Sequence, residues 1–355
     1  YVLEFLKKEK TINSDIIEIH NRPNYIKYLH NNQKKIILYF HNDPLSMLGS
    51  KSIKDRINLL NKIDKIIFNS KWSQNRFFIN IENKDLLKQK TAICYQSTSR
   101  VKVDFTKKEK IISFIGKLNS AKGYDLFGDA IIKILNEYND WKAVVYGDEP
   151  REKLDFHHKN LQINGYTHHD KILKFLEKAS ISVICSRWEE PFGRTSLEAA
   201  SRGCATIISN KGGLPETTSS GIILNKITSD EIYKEIKKLI LNKQKLKKNQ
   251  INNFKNFKFD HSYITGLIDA IRSEFSNIKN IFFLRKKLLK IMHITNFNER
   301  FNGRLHYNTG RRINNGFIRN NHNVLSLSDR DITHNYKTFK DFTGNKSLEN
   351  KILET

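Results

Sequence analysis

The sequence contains no run approaching the roughly 18 apolar residues of a membrane-spanning helix, so the chain is expected to be soluble. Cysteine is scarce. Cys94, Cys185 and Cys204 are odd in number, scattered and set in apolar, strand-like contexts, which argues against a disulfide framework or a zinc site. A reducing, cytoplasmic compartment is the expectation. Acid is short as well: 37 Asp and Glu stand against 62 Lys and Arg, a formal net charge of +25. Such a surplus calls for an anionic partner or a compositional reason. No recognition motif and no basic patch interleaved with aromatics is present, so nucleic acid is not expected. Lysine is spread along the chain beside abundant Asn and Ile, the pattern of a drifting genome composition. The clusters at residues 237–258 and 285–290 are nonetheless candidates for peripheral contact with the inner face of an anionic membrane, where each basic residue contributes about 1 kcal/mol.

What the sequence does have is length and apolar content, 355 residues at 38% hydrophobic, enough for about two domains with real cores. The stretch around which the chain is organised begins at an apolar, strand-like run, residues 181–185. It continues as Ser186-Arg187-Trp188-Glu189-Glu190-Pro191-Phe192-Gly193-Arg194-Thr195-Ser196-Leu197-Glu198-Ala199-Ala200. Pro191 and Gly193 force a loop. Thr195 and Ser196 are candidate N-caps, and the residues after them favour helix. A strand, a tight loop and a helix start present unpaired N–H groups and a positive dipole end, which suit a phosphate.

At these residues the sequence resembles the retaining glycosyltransferases of family 4, within the GT-B superfamily. That family carries a Glu-x7-Glu pair followed by Gly-Gly-x-Pro-Glu; here Glu190 and Glu198 match the pair, and Gly212, Gly213, Pro215 and Glu216 match the element. The resemblance implies an α/β protein of two Rossmann-like domains with parallel sheets facing a cleft. It covers roughly residues 15–280 and is strongest over residues 111–216.

Read in order, short apolar strands at residues 16–19, 35–40 and 65–68 alternate with helical patterns, which predicts a parallel sheet. His20, His41 and Ser70 follow or end those strands, where open sheets bind ligands. By resemblance, His41 lies near the donor sugar, and His20 and Ser70 line the acceptor side. Residues 91–105 read as the inter-domain connection. The loop after residues 111–116 carries Lys117 and Lys122 ahead of a helix at residues 123–138, a second phosphate cradle. In the family this loop has an arginine where Lys117 stands, so the charge is kept and the bidentate fork is lost. At residues 147–150, Glu149-Pro150 stands where a second glycine is usual. The pairs His157-His158 and His168-His169 point apart and suggest no metal; Asp329-Arg330-Asp331 imitates a metal motif of the other transferase fold. No metal and no cofactor is expected.

The domains are therefore expected at residues 1–105, 106–284 and 285–355. The last holds a strand at 290–294, a loop at 302–304, a helix at 307–319 and a strand at 323–328. This resembles the opening unit that residues 1–14 lack, so it reads as the start of a second transferase module. The alternative is that it folds back to complete the sheet of residues 15–105.

The function implied is sugar transfer from a nucleotide-diphosphate sugar to a glycan, lipid-linked or polysaccharide acceptor. His41, Lys117, Lys122 and Glu190 form the expected catalytic set. The expected donor site is Gly116, Lys117, Lys122, Tyr166, Glu190, Phe192, Gly193, Arg194 and Glu198. The alternatives are a GT-B nucleotide-sugar epimerase and a catalytically dead sugar-nucleotide or membrane-surface binding module.

Overall fold

The apolar runs become twelve parallel strands in the computed structural model, which describes residues 2–29, 34–82, 87–275, 289–297, 309–320, 322–335 and 337–354. They are β1 (Ile16–His20), β2 (Lys35–Phe40), β3 (Lys65–Phe68), β4 (Thr91–Ile93), β5 (Glu109–Ile115) and β6 (Lys142–Tyr146). Then come β7 (Leu161–Ile163), β8 (Ala179–Ile184), β9 (Ala205–Ser209), β10 (Ile222–Leu224), β11 (Lys290–Thr295) and β12 (Asn323–Ser328). Near-continuous burial along β1, β2 and β9 is the mark of strands covered on both faces, as parallel sheets require. Two six-stranded sheets result, ordered β12-β11-β1-β2-β3-β4 and β10-β9-β8-β5-β6-β7.

The chain divides into two compact units, residues 1–94 with 265–355, and residues 95–264. Both boundaries differ from expectation. Residues 91–93 are the edge strand β4 rather than a connection. Residues 95–105 pack with the second unit, because Thr98 bridges to Asp260 and its N–H donates to the Phe259 carbonyl at 3.1 Å. The long basic pattern of residues 229–258 is two helices, Ser229–Leu241 and Lys243–Lys255, broken at Asn242, whose side chain caps the second by accepting from the Lys245 N–H. The helix begun at residue 261 runs His261–Ser273, and its expected continuation over 276–280 lies outside the described residues, as do residues 285–288, 302–304 and 307–308. Among the described residues no helix is long and apolar enough to cross a membrane.

The C-terminal segment does not stand apart. β11 pairs in parallel with β1, Glu18 opposite His293, and β12 continues the sheet beyond β11. Residues 290–354 thus supply two strands of the first unit's sheet, which is the fold-back arrangement. The tail also closes its core: Met292, Ile294, Leu327 and Leu348 join Ile17, Ile19, Leu38, Phe40 and Phe68 in one cluster.

On the opposite face of that sheet lies a buried charge. Glu18, 2% exposed on the inner strand β1, receives both Nε and Nη2 of Arg272 at 2.8 and 2.9 Å and the Tyr39 hydroxyl at 2.9 Å. Arg272 is itself 3% exposed and lies 4.5 Å over the Phe317 ring. The second unit layers helices similarly: alternate β5 residues Ile112 and Phe114 face one cluster, and Ile111 and Ile115 the other. The helix Tyr124–Glu137 covers the first of these with Phe127, Ala130, Ile131 and Ile134 at helical spacing.

Removing one partner of a buried pair leaves an uncompensated charge, at a cost of about 3–5 kcal/mol. Arg272→Ala is therefore expected to speed hydrogen exchange across β1, β2 and β11 while β5 and β8 keep their protection. Unaltered exchange in β1 would show that the pair is not what secures this sheet.

Candidate functional site

Ligands of open parallel sheets bind outside the carboxyl ends of strands, at the point where strand order reverses. In the second unit that point lies between β5 and β8, since β6 and β7 are laid on one side and β9 and β10 on the other. The loops leaving β5 and β8 carry the predicted residues. After β5, Gly116 donates to the Tyr146 carbonyl at 3.0 Å, and Lys117 follows, half-exposed. Asn119 then caps the turn Ser120–Lys122 by accepting from the Lys122 N–H at 3.0 Å. The Lys122 ammonium reaches across to the loop leaving β8 and pairs with the Glu190 carboxylate. Tyr166, 39% exposed, follows Gly165, whose carbonyl accepts from the Gly147 N–H at 2.8 Å.

Glu190 is held through its backbone. Its carbonyl accepts from the Gly213 N–H at 2.6 Å, and the side chain of its neighbour Glu189 accepts from the Gly212 N–H at 2.6 Å. Gly212 has φ +59°, and a Cβ there would sit 2.0 Å from the Glu190 carbonyl oxygen, so this close approach requires glycine. The helix Arg194–Ser201 begins differently from expectation. Its N-cap is Gly193, left-handed at φ +104°, and not Thr195 or Ser196; the Ser196 hydroxyl accepts from Thr217 at 2.7 Å. Any side chain at 193 would run into Leu214.

Glu198, 1% exposed, lies one turn along that helix. Its Oε1 accepts from Arg194 Nη2 at 3.0 Å and is 3.0 Å from His169 Nε2. Burial alone would raise the Glu198 pKa. The hydrogen bond with His169 and the charge of Arg194 outweigh it and hold the carboxylate below its usual range. Arg194 is thus turned onto the carboxylate. His169 was missed in the sequence: it opens the helix His169–Lys178, and no spacing rule links it to Glu198. Phe192, expected at the donor site, is buried. It is 1% exposed and packs with Leu197, Phe257 and Tyr95, so it anchors the loop in a core.

In the first unit the order reverses between β1 and β11, and the histidines gather there. His20 Nδ1 lies 2.9 Å from His41 Nε2, with His20 stacked on Tyr39 and edge-on to His293. His293 donates Nδ1–H to Asn314 at 3.1 Å. Burial lowers all three pKa values, His41 to about 3 and His293 to about 4, with further lowering at His20 from its histidine neighbours. The rings are therefore neutral at neutral pH. Ser70 is fully buried, and its hydroxyl caps the helix Lys71–Phe77 by accepting from the Ser73 N–H. In the same unit a cavity of about 400 Å³ is lined by Arg22, Tyr25, Asp329 and Arg330 among others. Asp329 accepts from Arg22 at 2.9 Å and Tyr25 at 3.1 Å, so the Asp-x-Asp segment is engaged in protein contacts. Among the described residues no group of three or more His, Cys, Asp or Glu is placed to hold a metal ion.

Two six-stranded parallel sheets, one carrying lysines and carboxylates at its switch point, give the Rossmann-like α/β architecture of the GT-B fold. Residues 96–257 match the family described as glycosyl transferases group 1. The match lies within the second unit and spans a little under half of the chain. An uncharacterized glycosyltransferase of Methanocaldococcus jannaschii is 28% identical over 180 residues, 47% of this chain and 42% of the relative. A 2-deoxystreptamine N-acetyl-D-glucosaminyltransferase of Niallia circulans is 30% identical over 130 residues, 35% of this chain and 33% of the relative. The chain thus spans less than half the length of these relatives. Among solved structures, Anabaena HepE in complex with UDP superposes with a TM-score of 0.66 at 17% identity, over 77% of this chain and 82% of that one. A Rickettsia africae glycosyltransferase gives 0.63 at 18%, over 78% and 81%.

Histidines held neutral below their unfolded pKa of about 6.5 stabilise the fold above that pH, and the contribution is lost as pH falls, because the unfolded chain takes up protons first. For His293, titrating near 4, the loss amounts to about 3 kcal/mol across that window. Urea midpoints measured from pH 7 to pH 4.5 are expected to fall steadily. A flat profile would contradict a neutral, buried histidine cluster.

Proposed function

We propose that the protein is a glycosyltransferase that moves a sugar from a nucleotide-diphosphate sugar to a hydroxyl of a glycan, lipid-linked or polysaccharide acceptor. The observation that carries this reading is the Lys122–Glu190 pair at the β5/β8 switch point, with Glu198 held ionised on the helix that follows. Breaking the anomeric bond leaves negative charge on the departing diphosphate, and preorganised donors aimed at that charge are usually the largest catalytic contribution. Lys117, Lys122 and the backbone N–H groups of Gly193 and Arg194 supply them in this proposal, without a metal. Glu190 holds hydroxyls of the donor sugar and Glu198 those of the ribose. His20 and His41 serve the acceptor side. Retention of anomeric configuration follows the family 4 resemblance. Solved complexes of Anabaena HepE hold UDP and UDP-glucose, which makes UDP-glucose the first donor to assay.

Peripheral contact with an anionic membrane, in a cytoplasmic setting, is the accompanying proposal. It is supported by the exposed corner between the helices Ser229–Leu241 and Lys243–Lys255, where Leu241 is 67% exposed beside Lys243, Lys245, Lys247 and Lys248. Co-sedimentation with phosphatidylserine vesicles but not with phosphatidylcholine vesicles is the expected result. Equal partition onto both would remove the electrostatic reading.

Donor binding tests the transferase itself. Glu198→Gln replaces charge-assisted hydrogen bonds with neutral ones and is expected to weaken UDP binding by about 1.5–3 kcal/mol in calorimetry. Lys122→Ala is expected to lower turnover more than donor affinity, since its charge is needed most as the diphosphate leaves. Release of UDP that does not depend on an acceptor would instead favour epimerisation or hydrolysis. A thermal-shift panel in which no nucleotide sugar binds would sink the proposal.

A further inference from the structure

The loop of residues 116–123 already holds anions, and they are its own protein's. The Ser120 N–H donates to Glu152 Oε1 at 2.9 Å, and the Asn119 amide to Glu149 Oε2 at 3.4 Å. The same Glu149 oxygen is 4.0 Å from the Lys117 ammonium. Both carboxylates come from the segment that leaves β6, and that segment cannot drift. Gly147 at its base lies against Gly116, where a Cβ would meet the Gly116 carbonyl oxygen at 1.7 Å. The Glu149 side chain is only 4% exposed, although it stands where a loop would ordinarily turn its acid to water. Arg151 grips it with a fork, Nε to Oε1 at 2.7 Å and Nη2 to Oε2 at 2.8 Å.

A carboxylate and a phosphate oxygen are recognised by the same donors, and a guanidinium takes either one bidentately. Lys117 is a point charge without a fork, whereas Arg151 has the fork, and one carboxylate lies against both. The Arg151 hydrogen bonds and its charge, with Lys117 behind them, hold the Glu149 carboxyl down to about 2, so it remains an anion at any working pH.

We propose that Glu149 is a built-in competitor of the donor's diphosphate for the 116–123 loop, and that Arg151, released from Glu149 when the diphosphate binds, becomes its bidentate ligand. This rests on the nucleotide-diphosphate reading of the site. Any ligand that takes the loop must first displace the Glu149 carboxylate, so the device lowers the apparent affinity of every such ligand by the same factor. A ligand with two linked phosphates regains part of that loss by taking the freed Arg151 fork.

Calorimetry with inorganic pyrophosphate, inorganic phosphate and UDP, on the full chain, tests it. Glu149→Gln removes the charge at constant size and is expected to tighten pyrophosphate and UDP by about tenfold, the scale of one charge-assisted hydrogen bond. Glu149→Ala, checked for an unchanged melting temperature, is expected to do the same. Arg151→Ala is expected to weaken pyrophosphate even in the Glu149→Gln background. Weaker or equal pyrophosphate binding by folded Glu149→Gln and Glu149→Ala would overturn the competitor role while leaving the nucleotide reading intact. Unaltered affinity in Glu149→Gln/Arg151→Ala relative to Glu149→Gln would overturn the role of Arg151. Failure of every form to bind either pyrophosphate or UDP would overturn the nucleotide reading, and this inference with it.

Discussion

The two-pronged contact between Glu18 and Arg272 is the constraint on which the first unit depends. It sits where water cannot reach, so each charge requires the other, and between them they draw in five parts of the chain. Glu18 is on β1, its register partner His293 is on β11, and Tyr39 reaches it from β2. Arg272 comes from the helix His261–Ser273, and Phe317 beneath its guanidinium comes from the helix Thr309–Arg319. Few apolar contacts specify a register so strictly, because a one-residue slip would turn Glu18 to the other face of the sheet.

The second unit uses its scarce acid in the same manner. With 62 basic residues to 37 acidic ones, a carboxylate is the rarer partner, and several of those in this unit join separate stretches of chain. Glu198 gathers Arg194 and His169, Glu190 joins the loops of β5 and β8 through Lys122, and Glu149 ties the loop of β6 to that of β5. Scattered lysines could attract any anion. What gives the loops a defined shape is the placement of the acids between them.

Much of this was legible in the sequence, for identifiable reasons. Strands such as β2 and β9 are apolar on both faces, so their runs stand out without a period, and the Glu190–Glu198 spacing with its glycine pair is specific enough to place the loop. Clamps formed at long range were not legible: Arg272 is 254 residues from Glu18, and His169 belongs to a histidine pair that looks idle. The burial of Phe192 against Tyr95 and Phe257 was not legible either, because an aromatic inside a motif loop carries no local sign of a tertiary contact. The tail is similar. A strand–loop–helix–strand pattern has the same local signature whether it opens a new sheet or joins an old one, and only the pairing of β11 with β1 distinguishes them.

That pairing sets an order of events for a nascent chain. Residues 95–264 are contiguous, so the second unit has all of its strands as soon as its last helix leaves the ribosome. The first unit, begun earlier, waits longest, because the strand beside β1 is made some 275 residues later, and closing so long a loop is intrinsically slow. The edge of β1 that β11 covers is of buried apolar type, the kind of surface that recruits strands from other chains when left open. Any delay between making β1 and making β11 therefore lengthens the time for which that edge is exposed to aggregation.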